Sequence, residues 1–228
     1  MEAEPLTQLG QVCHRQGRYE EAASYHQQAL AVYRETGDLH GEAAALNGAG
    51  ETLLATGQPA QARTCHTTAL TLAGQSGNRP QQARALAGLG EISRRQGRHD
   101  EALSYGQQAL SLYQEIGDPY GEAAALNGAG ETLLATGQPG QARDRHTAAL
   151  ALARRTGDRY QRARAHHGLA EAWHACDQPG QARQHWQDAL RIYTDLGVPE
   201  ATRMPISDFG DARPAGDQVT AGPSENRR

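Results

Sequence analysis

Residues Gly41–Pro59 read GEAAALNGAGETLLATGQP, and residues Gly121–Pro139 repeat the same nineteen letters eighty positions later. The underlying period is shorter. Ala22, Ala62, Ala102, Ala142 and Ala182 fall in register at 40-residue steps, as do Ala29, Ala69, Ala109, Ala149 and Ala189, each of the latter followed by a leucine from Leu30 to Leu190. A fixed period in this range marks an array of supersecondary units. Gly17, Gly57, Gly97 and Gly137 mark one break per unit, and Gly37, Gly77, Gly117, Gly157 and Gly197 mark a second. Between breaks, small and apolar residues recur three and four apart (Leu46, Ala49, Gly50, Leu53; then Ala62, His66, Ala69, Leu70). This is the period of an amphipathic helix. Each unit is a helical hairpin, and there are five.

The breaks carry matching turn chemistry. Gly37, Gly117 and Gly157 suit the left-handed position that ends a helix, and Asp38, Asp118, Asp158 and Asn78 suit the N-cap of the next. In GQP, Gly57 and Gly137 stop the first helix, while Pro59 and Pro139 enter the first turn of the second, where a missing N–H costs no intrahelical bond.

Composition narrows the function. The 228 residues are 38% apolar with one Phe, so alanine and leucine must do the packing. A net charge of -4, with every basic side chain an arginine, offers no surplus for a phosphate backbone, so no direct nucleic acid contact is expected. No apolar run approaches the ~20 residues of a membrane span, and the N-terminus lacks a basic and an apolar leader region. The chain reads as cytoplasmic. Cys13, Cys65 and Cys176 form neither a paired framework nor a CxxC motif and read as small reduced core residues.

The spacing Leu46, Ala49, Gly50, Leu53 followed by Ala62, His66 and Ala69 resembles the tetratricopeptide repeat (TPR). The same frame fits Leu86, Leu89, Gly90 with Ala102 and Ala109, and Leu169, Ala170, Trp173 with Ala182, Trp186 and Ala189. Each unit is six residues longer than the common version and lacks its terminal proline, which is similar to a 40-residue subclass found in cell-polarity adaptors, kinesin light chains and the C-terminal arms of actinobacterial transcriptional regulators of the antibiotic regulatory protein type. The arginine-only, alanine- and glycine-rich composition favours the last comparison. The resemblance implies an all-α, right-handed α-solenoid over residues 1–197, in units of about 1–37, 38–77, 78–117, 118–157 and 158–197. Residues 198–228 change composition and are expected to form a disordered tail.

By the same resemblance, the first helix of each hairpin lines a concave groove. Its exposed positions would be Gln11, then Asn47 and Glu51, Ala87 and Glu91, Asn127 and Glu131, and His167 and Glu171. Asn47 and Asn127 would hydrogen-bond an extended peptide backbone. Arg84 and Arg164 stand three and seven residues before groove positions on their own helices, where they can pair with the glutamate ladder or yield to a ligand carboxylate.

Gly50 and Gly130 are accounted for by close helix packing, whereas Gly48, Gly88, Gly128 and Gly168 fit either a groove wall that admits close backbone approach or simple tolerance. His26, His66 and His146 share one register and, at roughly 10 Å per helix layer, are too far apart for one metal. They read as core residues. His166, His167 and His174 are closer together but lack a converging ligand set. No phosphate loop, nucleophile elbow or paired-carboxylate motif is present, so neither enzymatic activity nor a cofactor is expected. Trp186, Ile192, Tyr193 and Leu196 have no further hairpin to cover them, so either the tail folds back on them or the uncapped ends meet a partner, self-association included. The expected function is binding of a protein or peptide partner; the alternative is a sensory or autoinhibitory arm, as a detached piece, of a bacterial transcriptional regulator.

Overall fold

Helix boundaries fall where the turn chemistry puts them. The computed structural model describes residues 3–203, in which ten long helices follow one another: α1 Ala3–Arg15, α2 Tyr19–Thr36, α3 Leu39–Ala55, α4 Pro59–Gln75, α5 Arg79–Arg95, α6 His99–Ile116, α7 Pro119–Ala135, α8 Pro139–Thr156, α9 Arg159–Ala175 and α10 Pro179–Leu196. One short turn, α11 (Glu200–Arg203), comes last. Asp38, Asn78, Asp118 and Asp158 each accept a first-turn backbone N–H at 2.9 to 3.3 Å. Pro59, Pro139 and Pro179 open α4, α8 and α10, and Gly37, Gly117, Gly157 and Gly197 close α2, α6, α8 and α10 in the left-handed region.

Small residues set how closely the helices approach. Ala22, Ala62, Ala142 and Ala182, with Ala29, Ala69, Ala109, Ala149 and Ala189, are fully buried where the helices of each hairpin meet. Each helix packs on its neighbours in the chain, and α1, α3, α5, α7 and α9 also touch one another in series, whereas no even-numbered helix touches the next even one. The odd helices therefore line the inner, concave wall and the even ones splay outward.

Interfaces between hairpins come in two alternating kinds. Tyr33 lies over Gly41, and Tyr113 over Gly121, so closely that a Cβ on either glycine would overlap the ring. One hairpin further on, alanine replaces each tyrosine (Ala73, Ala153) and glutamine each glycine (Gln81, Gln161). Gln82 Nε2 donates to the Ala73 carbonyl at 2.9 Å across this smaller gap. Large-over-small and small-with-polar contacts thus repeat every two hairpins, which is why an 80-residue block duplicates with its neighbours already matched.

At the last hairpin the following chain folds back. Trp186, Ile192 and Tyr193 are buried, because Val198 and Ala201 fold back on α10 and Tyr160 meets Tyr193 edge-on at 6.2 Å. The tail expected from residue 198 therefore begins with packed residues; its remainder, 204–228, lies outside the described residues. At the other end Leu9 and Val12 are exposed on α1. Among the described residues no helix is long and apolar enough to cross a membrane.

Asp177 occupies the turn position held by glycine in the earlier hairpins and is the one non-glycine with positive φ (56°) among the described residues. A side chain in this region costs about 1–2 kcal/mol, partly offset by the greater chain entropy that glycine loses on folding. Asp177→Gly should therefore stabilise the array by about 0.5–1 kcal/mol. Urea denaturation measures this; an unchanged or lower midpoint would show that the aspartate relieves its own strain.

Candidate ligand-binding groove

Three of the expected groove residues, Glu91, Glu131 and Arg164, come together on the inner wall. Glu91 on α5 accepts from Arg94 at 2.8 and 2.9 Å and from Arg95 at 2.6 Å. Arg94 reaches on to Glu131 of α7 at 3.4 Å, and Arg164 of α9 pairs with the same carboxylate at 2.8 Å. The result is a continuous row, Glu91–Arg94–Glu131–Arg164, of half-buried charges crossing three hairpins. One step toward the N-terminus, Arg84 grips Glu51 with two bonds of 2.6 and 2.7 Å. Arg84 and Arg164 do pair with the ladder, but with the glutamate of the preceding hairpin and not along their own helices. Stacking brings an arginine 33 positions later alongside that glutamate.

The charges are fixed by one another. Burial pushes the Glu131 carboxyl up, but the charge and hydrogen bond of Arg164, with Arg94 behind it, outweigh this and hold it at about 2. For Glu91 burial again pulls upward, and the bonds from Arg94 and Arg95 lower it overall. Burial works against the Arg164 guanidinium too, yet Glu131 raises its pKa. All three stay charged across the physiological range.

Two cavities open along this row. One of ≈ 440 Å³ lies between α5, α6 and α7 and reaches Tyr160, Tyr193 and Glu200. The other, of ≈ 590 Å³, continues toward Glu171 and His174. They share Arg94, Glu131, Arg164 and His167. His167 Nε2 stands 3.7 Å from the exposed Glu171 carboxylate. Ala87 lines the first cavity, and Gln11 sits half-buried on α1.

Asn47 and Asn127 do not face the groove. Both are fully buried. Asn47 Nδ2 donates to the Gln81 carbonyl and to Gln81 Oε1, each at 3.0 Å, while its Oδ1 meets His66 Nδ1 at 3.0 Å. Asn127 makes the same bonds to Gln161 and His146. Because the amide nitrogen is committed to Gln81, Oδ1 is the acceptor and His66 Nδ1 carries the proton. The asparagines pin one hairpin to the next and leave no atom for a ligand.

The buried histidines explain the recurrent glycines. An added Cβ at Gly50 would stand 2.7 Å from the His66 ring and one at Gly88 2.5 Å from it. His26 is held in the same way between Gly10 and Gly48, and His146 between Gly130 and Gly168. Gly48, Gly88 and Gly168 make room for an imidazole, not for a ligand backbone. Gly128 is the exception, since nothing lies within 4 Å of its would-be Cβ. Burial lowers the pKa of His26, His66 and His146 to about 4, so all three rings are neutral at pH 7.

The family models agree with this architecture. The tetratricopeptide repeat model matches residues 2–75, 41–115 and 121–195. The chain belongs to the tetratricopeptide repeat family. Among solved structures, its TPR array is similar to BtubC (BKLC) from P. vanneervenii, at TM-score 0.69 and 18% identity, covering 96% of this chain and 87% of that one. It is also similar to a STAND signal-transduction ATPase with a tetratricopeptide repeat sensor from Pyrococcus horikoshii (TM-score 0.71, 15% identity, 87% of this chain and 30% of that one). A third likeness is to a putative kinesin light chain from Podosopora anserina with nearly identical TPR-like repeats (TM-score 0.63, 17% identity, 85% of this chain and 95% of that one). No curated protein sequence matches significantly.

Within the TPR frame, the sequence reading does not place Arg94, Tyr160, Tyr193 or Glu200 at the groove, and it names Tyr193 only as part of the uncovered end. Arg94 had a signal, three residues past Glu91 on one helix face. Tyr193 had another, recurring with Tyr33 and Tyr113 every 80 residues. Tyr160 and Glu200 meet only through the backfolding of α11, where the phenol donates to the carboxylate at 2.8 Å. Among the described residues no group of three His, Cys, Asp or Glu side chains converges on a metal position.

Two tests follow from these bonds. Asn47→Ala strands His66 Nδ1 in the interior and removes both bonds to Gln81, so it should cost about 1–3 kcal/mol of stability; a denaturation midpoint equal to wild type would place Asn47 outside the packing argument. The histidines also set a pH dependence. The unfolded chain takes up protons near pH 6.5 while the folded chain resists until about 4, so stability is complete above 6.5 and is lost as pH falls through that window. Glu131, at about 2 when folded, adds a further loss below about 4.5. Thermal melts followed by circular dichroism from pH 8 to 4 should show the melting temperature falling from the upper window; a flat profile down to pH 5 would refute the neutral buried rings.

Proposed function

We propose that the chain is a protein- or peptide-binding scaffold of the cytoplasm that takes its ligand along the concave groove over α5, α7 and α9 and makes no direct nucleic acid contact. The observation that carries this reading is the Glu91–Arg94–Glu131–Arg164 row beside two open cavities. TPR arrays are typically non-catalytic scaffolds, and the row offers what such a scaffold needs. Paired and half-buried, its side chains are already ordered, so a ligand that exchanges a carboxylate or guanidinium into the row forfeits little side-chain entropy. Alternating signs set which charges an extended chain can present, and in which order. Glu51 with Arg84 extends the same pattern toward the N-terminus, and His167 with Glu171 toward the C-terminus.

A second reading, a sensory or autoinhibitory arm of a larger regulator, draws on the likeness to the STAND protein, whose array is called a sensor and of whose chain the match covers 30%. An open reading frame for a nucleotide-binding or winged-helix domain beside this one would favour it.

The groove is tested with a peptide selected from a display library on the purified chain. Arg94→Glu and Glu131→Arg should each weaken that peptide at least about tenfold, the scale of one lost charge-assisted contact. Glu35→Arg, on the outer helix α2, should leave it unchanged. Equal losses from the outer and inner variants in isothermal titration would remove the groove from consideration.

A further inference from the structure

One register of the array is interrupted. Positions 26, 66, 146 and 186 hold buried rings, His26, His66, His146 and Trp186, whereas the third hairpin has Gly106. The ring's polar partner is missing there as well. The asparagines that bond His66 and His146 lie nineteen residues before them, at Asn47 and Asn127, and the corresponding residue for Gly106 is Ala87. The walls that elsewhere clasp a ring remain glycine, at Gly90 and Gly128; an added Cβ at Gly90 would stand 3.5 Å from the Ala102 carbonyl oxygen and Tyr105 Cβ, whereas one at Gly106 or Gly128 would meet nothing within 4 Å, so the space opens toward α7. This unfilled space is the floor of the ≈ 440 Å³ cavity, which opens into the groove beside Arg94 and Glu131.

We propose that the gap at Gly106 is a binding pocket for an uncharged aromatic ring, supplied as a side chain by the peptide that the groove takes. The shape argues for a ring, since the same pair of glycine walls encloses an imidazole between Gly50 and Gly88 and another between Gly130 and Gly168. The chemistry argues for an apolar one. With Ala87 in place of asparagine, no side-chain amide waits to receive a ring N–H, and Ala102 and Ala109 supply methyl groups on the α6 side. Apolar cavities of about 150 Å³ already accept a benzene-sized guest, so the space holds a ring together with the start of its backbone. The glutamate–arginine row at the mouth then reads the residues on either side. The source of the ring rests on the groove reading; the pocket itself does not.

The test uses the whole chain and a ring without a peptide. Toluene titrated into ¹⁵N-labelled protein should shift the amides of Gly90, Gly106 and Gly128 saturably, and 4-methylimidazole at pH 8 should not. The double variant Ala87→Asn/Gly106→His rebuilds the missing pair; it should raise the melting temperature by several degrees and abolish the toluene shifts. If that variant does not melt cooperatively, Gly106→Leu, which fills the space without a polar group, is titrated instead and should likewise be silent. Unmoved glycine amides in the wild type, an equal response to 4-methylimidazole, or toluene shifts that survive the filled variant would each overturn the pocket. Toluene binding in a chain that takes no peptide would leave the pocket standing and remove the groove reading, while peptide binding without a toluene response would do the reverse.

Discussion

The array depends on a ring held between two glycines. A helix glycine costs ~1 kcal/mol relative to alanine, and the chain accepts that cost at Gly10, Gly48, Gly50, Gly88, Gly130 and Gly168 because each faces a buried imidazole. The ring fills the space where three helices converge, and in two hairpins an asparagine ties it to the next unit. Steric fit and hydrogen bonding are thus solved by the same side chain. The cost is sensitivity to acid, since a neutral buried ring resists the proton that an unfolded chain accepts.

From this constraint the 80-residue alternation follows. A hairpin whose outgoing face presents Tyr33 needs Gly41 opposite, and one that presents Ala73 leaves room for Gln81, which in turn receives Asn47. Copying a single 40-residue unit would set large against large or small against small. Copying two keeps each interface with its complement, and the nineteen identical residues lie within such a block.

The groove inherits its electrostatics from the stacking. Glutamates recur every 40 residues on the inner wall, yet the arginines that neutralise them come from different places: Arg84 and Arg164 from the following hairpin, Arg94 and Arg95 from the glutamate's own helix. Ala124 stands where Arg84 and Arg164 stand in the neighbouring units, so Glu91 is served by its own helix instead. In this third hairpin the ring is also absent, and a cavity opens beside Gly106. Charge pattern and cavity therefore change together at this hairpin.

The sequence by itself determined the ten long helices of the array and where they break, because 3.6-residue periodicity, Asp and Asn caps and left-handed glycines act within a few residues of one another. It also determined the glutamate ladder, since a 40-residue repeat returns each glutamate to the same face. Only the tertiary structure decided that Asn47 and Asn127 turn inward while Glu51 and Glu131, one turn further on, stay on the groove. Both residues lie on the inner helix, and a rotation that separates buried from exposed depends on where the next hairpin's Gln81 and Gln161 arrive. The pairing of Arg84 and Arg164 across hairpins, and the covering of Trp186 and Tyr193 by the chain after Gly197, were likewise set by how units stack. The gap at Gly106 lay between these cases: its letter interrupts a visible register, but only the stacking of the helices leaves the space beside Gly106 and Gly128 unfilled.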